Sequence, residues 1–304
     1  MRKPKIIVLC GGISPESDVS KVSGKFVFEA LKKNFDAELI TLEKNELPQG
    51  LDPENCVVFP AMHGDYGEDG TLQKQLEDAG ISYAGCESLS SRVCMVKPAA
   101  KALMNFAGLP TAKAVEFEAA KMPDKKAISA LFPNGAVIKP ADKGSSVGLV
   151  ISDSPDQTQA ALEKITDGFW LVEERVRGRE FSMGVIDGEA AGLVEIKPQG
   201  GVYDFKRKYT AGSTVYEFPA KVAPETLQAI KAAAQKAFEV CGCRDFARVD
   251  FIIKSEKPLD FIILEINTLP GMTPTSLLPK SASCVGYDFD SLCAKMVENA
   301  IKRL

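Results

Sequence analysis

The sequence predicts an α/β protein that begins with a doubly wound parallel sheet and continues with α+β units. Over residues 1–94, buried strands alternate with amphipathic helices, which is the pattern of successive βαβ units. From residue 95 onward, strands follow one another more directly, and two of them form a hairpin. The chain has 304 residues, more than one ordinary domain, so we expect two or three packed units.

The N-terminal unit opens with a predicted strand at residues 5–10, which ends in a Gly-Gly turn. Ser14 is then a candidate N-cap, and Pro15 is a candidate first helical residue. The apolar face of this helix is predicted to contain Val19, Val22, Phe26 and Ala30, widened by Val27 and Leu31. Further strands are predicted at residues 37–42 and 56–60, followed by a helix at 71–79 that Gly80 ends.

The rest of the chain is predicted to form a central unit, residues 95–176, and a C-terminal unit, residues 177–304. The central unit should contain helices at 98–107 and 155–165 and strands at 113–117, 135–139, 147–152 and 169–174. The C-terminal unit should contain strands at 180–186 and 189–196, a helix at 224–240, a hairpin of 246–253 with 259–266, and a helix from Asp288. The polar and aromatic segment 198–219 is too long for a simple connector and predicts an active-site lid.

Composition excludes several classes of protein. The net charge is -4 with mixed signs along the chain, so there is no basic surface for nucleic acid. The apolar run at residues 6–10 is too short for a signal-peptide core, and no stretch approaches the ~20 apolar residues that span a bilayer. Eight cysteines in a chain of this length are not a disulfide framework, and Cys241-Gly-Cys243 lacks the two-residue gap of zinc motifs. We therefore expect a cytoplasmic globular protein without nucleic-acid or membrane partners.

The predicted C-terminal hairpin carries the most informative polar pattern. Because side chains alternate along a strand, Arg248 and Asp250 share one face of the first strand, and Glu265 and Asn267 share one face of the second. A tight turn would place Asp250 beside Glu265. Buried charges need each other or a cation, and an all-oxygen set suits Mg²⁺. From spacing alone, these four residues fit two interpretations equally well: a magnesium site or an Arg–Asp–Glu salt-bridge network.

The same residues carry a family resemblance. The segment Arg248-Val-Asp250, followed by Glu265-Ile-Asn267-Thr-Leu-Pro-Gly-Met-Thr, resembles the magnesium site of the ATP-grasp ligases. Within that superfamily, the segment from Asn267 to Thr273 is similar to the D-alanine–D-alanine ligases. The resemblance extends over essentially the whole chain, with the motifs in the same order. It implies that the N-terminal domain precedes a two-part ATP-grasp fold.

The resemblance also implies where ATP would bind. A Gly-Ser-Ser loop after the strand that ends at Lys139 exposes N–H groups that can hold phosphate, although by itself it could equally be a surface turn. In the family this loop, which includes Ser146, closes over the triphosphate, and Lys97 and Lys139 match the phosphate-binding lysines. The adenine and ribose contacts are implied to come from Glu173, Glu174, Val176 and Glu180, with a lysine possible in the family where Glu174 stands.

The resemblance further implies the amino-acid sites and the chemistry. Five sets of residues are implied. The first D-alanine site is lined by Glu16, His63 and Glu68, and Ser145 and Tyr209 join Glu16 in a hydrogen-bonded triad that closes the lid. The second D-alanine contacts Lys208, Ser276 and Leu277. Arg248 and the Gly271 N–H stabilise an oxyanion, and Asp250, Glu265 and Asn267 hold Mg²⁺, with two ions expected and Mn²⁺ able to replace them.

The expected reaction is ATP-dependent joining of two D-alanines through a D-alanyl phosphate, for peptidoglycan precursors, by an enzyme that the family implies is a homodimer. Three alternatives remain open. One is a related ligase that makes D-alanyl-D-lactate, and the second is a nucleotide-binding protein that has lost activity. The third is an NAD-dependent enzyme, against which the turn at Gly11-Gly12 counts because it lacks the spaced three-glycine fingerprint.

Overall fold

The computed structural model describes residues 4–144, 147–199, 212–255 and 257–304, which contain three β-sheets. The first sheet is parallel, with strand order β2-β1-β3-β4. Its strands are β1 (Lys5–Gly11), β2 (Ala37–Leu42), β3 (Cys56–Pro60) and β4 (Ser82–Tyr83). The helices associated with this part of the chain are α1 (Ser17–Leu31), α2 (Thr71–Asp78) and α3 (Ser88–Met95). The predicted N-terminal parallel sheet is therefore present, with α3 and β4 as additions to the predicted elements.

The second sheet is antiparallel, with strand order β5-β8-β6-β7. Its strands are β5 (Ala114–Glu118), β6 (Ala136–Pro140), β7 (Val150–Ile151) and β8 (Phe169–Glu174). The helices of this region are α4 (Lys97–Phe106), α5 (Lys125–Ala130) and α6 (Pro155–Leu162). Strand β7 is shorter than predicted because Val147 and Gly148 form a turn in which Gly148 has a φ of 68°. The small core between this sheet, α5 and α6 includes Phe117, Ile128, Ile138, Leu162 and Val172. The buried side chains of α4, Ala100 and Met104, belong instead to the core of the third sheet.

The third sheet is also antiparallel, with strand order β11-β10-β9-β12-β13. Its strands are β9 (Arg179–Ile186), β10 (Glu189–Pro198), β11 (Thr214–Glu217), β12 (Phe246–Ile253) and β13 (Phe261–Asn267). The helices are α7 (Pro224–Val240), α8 (Leu277–Ser283) and α9 (Phe289–Ile301). Strand β11 corrects the prediction that 198–219 is loop throughout, since its residues pair with β10 and Tyr216 packs beside Ile196. Residues 200–211 of the predicted lid lie outside the described residues.

The last helix, α9, packs against the first sheet. Buried side chains of α9, including Leu292, Met296 and Val297, belong to the same apolar core as Ile6, Val8 and Phe59. The boundaries proposed after residues 94 and 176 each separate one sheet from the next, and α9 shows that the C-terminal unit also packs on the N-terminal one. Within the described part of the chain, no helix is long and apolar enough to cross a bilayer.

Helix α1 begins later than predicted, and only part of its predicted apolar face is buried. Its N-cap is Glu16, not Ser14. The Ser14 hydroxyl donates to the His63 carbonyl at 2.7 Å and accepts from the Glu16 N–H at 3.2 Å, ahead of the helix. Val22 and Phe26 are 49% and 43% exposed. Val27, Ala30 and Leu31 are buried as predicted, and the rest of the buried face consists of Ser20, Ser23 and Gly24. Small residues allow a close approach to β1: a Cβ on Gly24 would lie 2.4 Å from the Cβ of Cys10.

This close approach makes a testable prediction. Gly24→Ala should lower the free energy of unfolding by about 1–3 kcal/mol, because the added methyl group forces α1 away from β1. Urea denaturation measures this change. The control is Lys25→Ala on the exposed side of the same helix, for which we expect a change within about 0.5 kcal/mol. Equal stability of the two variants would contradict the tight packing of α1 on β1.

Candidate functional site

The hairpin of β12 and β13 brings its polar residues together. Asp250 lies opposite Glu265, and Arg248 lies opposite Asn267, while Val249 and Phe251 are fully buried. The register shifts after Asp250, so that Leu264 is an extra residue in β13. This β-bulge allows the consecutive residues Leu264 and Glu265 both to line a cleft, which strict alternation would forbid.

Asp250 is 7% exposed and is held by three hydrogen bonds. Arg248 donates to it twice, from Nε to Oδ1 at 3.0 Å and from Nη2 to Oδ2 at 2.8 Å. Ser182 of β9 donates to Oδ1 at 2.7 Å. The Arg–Asp ion pair, which was one of the two interpretations of the sequence, is therefore present. It fixes the plane of the Arg248 guanidinium.

Among the described residues, no group of three or more His, Cys, Asp or Glu side chains could hold a metal. The oxygen set at the hairpin is smaller: the carboxylates of Asp250 and Glu265, directly opposite each other, and the amide of Asn267 two residues along β13. This set fits Mg²⁺, which binds through one or two carboxylates and takes its remaining ligands from water and phosphate.

Two adjoining clefts contain every predicted site residue that the structure describes. The β8–β12 cleft is lined by Lys97, Lys139, Glu173, Glu174, Val176, Glu180, Asp250 and Glu265, among others. The α1–β13 cleft is lined by Glu16, His63, Glu68, Lys97, Arg248, Glu265, Asn267, Gly271, Ser276 and Leu277, among others. Lys97, Gly144 and Glu265 line both clefts, so the two meet at these residues. Ser145, Ser146, Lys208 and Tyr209 lie outside the described residues.

A buried charge cluster forms one wall of the β8–β12 cleft. The Glu173 carboxylate accepts from Lys101 Nζ through Oε1 and from Lys139 Nζ through Oε2, both at 2.6 Å. Burial disfavours the charged form of Glu173, but the two lysines outweigh it and hold the pKa of this carboxyl below its usual range. Burial lowers the pKa of Lys101.

Lys101 was not predicted from the sequence as a residue of the site. Its spacing of four residues from Lys97 places both on one side of α4, and this is the signal that could have identified it. That spacing alone does not separate it from an ordinary solvated lysine.

Lys97 stands where the two clefts meet. Burial, together with the neighbouring charge of Lys139, lowers the pKa of Lys97, although Glu265 and Glu173 oppose this shift. Its Nζ donates to the carbonyl of Lys143. Lys143 in turn forms an ion pair with Asp65 at 2.7 Å, which connects the start of the Gly-Ser-Ser loop to the loop after β3.

His63 lines the α1–β13 cleft, is only 5% exposed and is held from both sides. Its Nε2 lies 2.9 Å from the Ser23 hydroxyl of α1, and its Nδ1 lies 3.5 Å from the Glu68 carboxylate. Gly64 follows with a φ of 75°, and a Cβ there would lie 2.9 Å from Glu16 Oε2. A glycine is therefore required at residue 64, where the backbone passes the Glu16 carboxylate.

The loop after β13 contributes Gly271 and Ser276. The Ser276 hydroxyl accepts from the Thr273 N–H at 3.0 Å and lies 2.8 Å from the Thr273 hydroxyl. These bonds hold the loop between Gly271 and α8 as a compact turn at the edge of the α1–β13 cleft.

Comparison with known proteins agrees with this architecture. Residues 48–86 match the family model for the D-ala D-ala ligase N-terminus, and residues 103–298 match that for the D-ala D-ala ligase C-terminus. The D-alanine–D-alanine ligase of Syntrophotalea carbinolica is 38% identical over 100% of this chain and 98% of its own length. That of Acidiphilium cryptum is 39% identical over 99% of each chain.

Two solved structures have the same fold. A D-alanine–D-alanine ligase from Bacillus anthracis complexed with ATP has a TM-score of 0.84 at 28% identity, covering 98% of each chain. The VanG D-Ala:D-Ser ligase from Enterococcus faecalis has a TM-score of 0.85 at 29% identity, covering 98% of this chain and 100% of that one. The predicted α/β class with an ATP-grasp fold is thereby confirmed, and it defines an ATP-dependent ligase. The chain belongs to the D-alanine–D-alanine ligase family.

Proposed function

We propose that the protein joins two D-alanines, consuming one ATP, through a D-alanyl phosphate intermediate. The product, D-alanyl-D-alanine, supplies peptidoglycan precursor synthesis. The observation that carries this proposal is the meeting of the two clefts at Lys97 and Glu265. ATP in the β8–β12 cleft and an amino acid in the α1–β13 cleft would bring the γ-phosphate and a carboxylate together there. Membership of the family supports the pair of substrates.

In the first step, a carboxylate oxygen of the first D-alanine forms a bond to the γ-phosphorus, and the bond from that phosphorus to ADP breaks. Lys97 and Lys139 bind the phosphate oxygens, and the Gly-Ser-Ser loop with Ser145 and Ser146 covers them. Glu173, the Glu174 main chain, Val176 and Glu180 hold the base and ribose. The Glu174 N–H donates to the Lys113 carbonyl, so any main-chain contact of Glu174 with the base uses its own carbonyl.

In the second step, the amine of the second D-alanine attacks the acyl carbon, and the bond from that carbon to phosphate breaks. An oxyanion forms after the amine attacks and before phosphate leaves. Arg248, whose guanidinium is oriented by its two bonds to Asp250, and the Gly271 N–H stabilise this oxyanion. Glu16, His63 and Glu68 hold the first D-alanine, while Ser276, Leu277 and Lys208 hold the second. Tyr209 with Ser145 and Glu16 closes the lid and keeps water from the acyl phosphate.

Asp250, Glu265 and Asn267 would hold Mg²⁺, two ions in the full site, with Mn²⁺ as a substitute. When bound, Mg²⁺ would neutralise phosphate charge during transfer of the γ-phosphoryl group. A cytoplasmic location is supported by the need for ATP and by eight cysteines that are all free thiols. The homodimer is proposed from the family resemblance.

Product analysis tests this proposal. With ATP, Mg²⁺ and D-alanine, we expect equal amounts of ADP, phosphate and D-alanyl-D-alanine, measured by mass spectrometry. The similarity to a D-Ala:D-Ser ligase makes added D-serine an informative competitor, and added D-lactate tests the ester-forming alternative. A mixed product in excess would overturn D-alanine as the second substrate. Absence of phosphate release would overturn the enzyme assignment, and tight NAD binding would favour the third alternative.

A further inference from the structure

Lys101 has no role in the mechanism above, yet its burial requires an explanation. In the described part of the chain, only Lys101 and Lys139 are buried lysines, at 6% and 9% exposed. A lysine that is removed from water loses several kcal/mol of hydration unless partners replace it. The Nζ of Lys101 donates to Glu173 Oε1 at 2.6 Å and to the Ala112 carbonyl at 2.8 Å. These bonds fix its ammonium group in one position.

Glu173 is shared between two cations. Its other oxygen, Oε2, contacts Lys139 at 2.6 Å, and the Glu173 residue is only 3% exposed. One negative charge therefore faces two positive charges, and the cluster keeps a surplus positive charge at the wall of the β8–β12 cleft. Lys139 and Glu173 line this cleft, whereas Lys101 does not and stands behind them. Lys101 therefore reaches the cleft wall through the two cleft-lining residues to which it donates, Glu173 and Ala112.

We propose that Lys101 is a positioning residue for ATP: it holds Glu173 so that Lys139 is fixed at the cleft wall with only part of its charge compensated. An incoming triphosphate then supplies the missing negative charge. Without Lys101, Glu173 would pair with Lys139 alone, and the neutral pair would attract phosphate less. The inference rests on the proposed binding of ATP in the β8–β12 cleft.

Lys101 could instead support only the fold. The KM values for ATP and for D-alanine distinguish a structural role from a positioning role. Lys101→Met keeps most of the apolar stem but removes the charge. We expect this variant to raise KM for ATP about tenfold or more while KM for D-alanine changes little, since a coupling of about 1.4 kcal/mol is tenfold. Lys101→Arg, which restores a cation, should recover part of the loss. An unchanged KM for ATP in Lys101→Met would overturn the inference.

Three further variants complete the experiment. Met104→Ala removes a fully buried side chain from the same helix, and it should lower the melting temperature without changing KM for ATP. If Lys101→Met does not fold, Lys101→Gln, which can still donate to the Ala112 carbonyl, takes its place with the same expected result. Glu173→Gln, alone and combined with the Lys101 variant, should give non-additive effects on KM for ATP. Additive effects would contradict action through Glu173.

Lys139→Met distinguishes failure of this inference from failure of the proposed function. If Lys139→Met raises KM for ATP and Lys101→Met does not, only the role of Lys101 is overturned. If neither variant changes KM for ATP, the proposed position of ATP in the β8–β12 cleft is also wrong.

Discussion

Asp250→Asn should lower the ATP- and D-alanine-dependent release of phosphate by about 10²–10³-fold. The change keeps the shape of the side chain but removes one of the two carboxylates that lie opposite each other on β12 and β13. It also leaves the Arg248 guanidinium without its ionic partner. The expected signature is a low kcat together with a higher Mg²⁺ concentration for half-maximal rate. Both are measured by a coupled phosphate assay.

Asp260→Asn is the matched control. Asp260 lies at the turn of the same hairpin, where it accepts from Ser255 and pairs with Lys254 at 2.8 Å. Its loss should change stability little, as for a surface ion pair, and should leave phosphate release unchanged. Wild-type activity in Asp250→Asn would reject the magnesium assignment and leave only the salt-bridge reading of the hairpin.

Arg248→Lys should lower kcat for dipeptide formation by about 10²–10³-fold. Lysine keeps the charge but cannot make the two parallel bonds from Nε and Nη2 to Asp250, so the cation loses its fixed position beside the site of the oxyanion. Steady-state rates of D-alanyl-D-alanine formation at saturating substrates measure the effect.

Arg303→Lys tests the same chemical change elsewhere in the chain. Arg303 makes a comparable two-bond pair with Asp245, at 2.7 and 2.6 Å, and it lines neither cleft. We expect this variant to lose stability and keep kcat. A similar drop of kcat in both variants would mean that Arg248 supports only the fold.

The sequence predicted those elements in which local pattern and tertiary packing agree. Helix α7 and strands β2, β3 and β12 have the predicted bounds, because apolar periodicity and end signals coincide there. The pairing of Asp250 with Glu265 was also predicted, from a tight turn between the two strands. The β-bulge at Leu264 did not, since an extra residue in one strand leaves no signal in the spacing of its side chains.

Other features depended on tertiary contacts that local sequence does not encode. Helix α1 buries Ser20, Ser23 and Gly24, because close approach to β1 outweighs the apolar area that Val22 and Phe26 could have buried. Lys101 is buried only because Glu173 of a distant strand compensates its charge. The packing of α9 on the first sheet joins residues far apart in the chain, and nothing near α9 indicates its partner.

The central claim is that ATP activates a carboxylate as an acyl phosphate where the two clefts meet. D-alanine labelled with ¹⁸O in its carboxylate tests it most directly, because the attacking oxygen must leave with the phosphate. We expect each phosphate released during D-alanyl-D-alanine formation to carry one labelled oxygen, seen by mass spectrometry. Dipeptide formation with unlabelled phosphate would contradict the account.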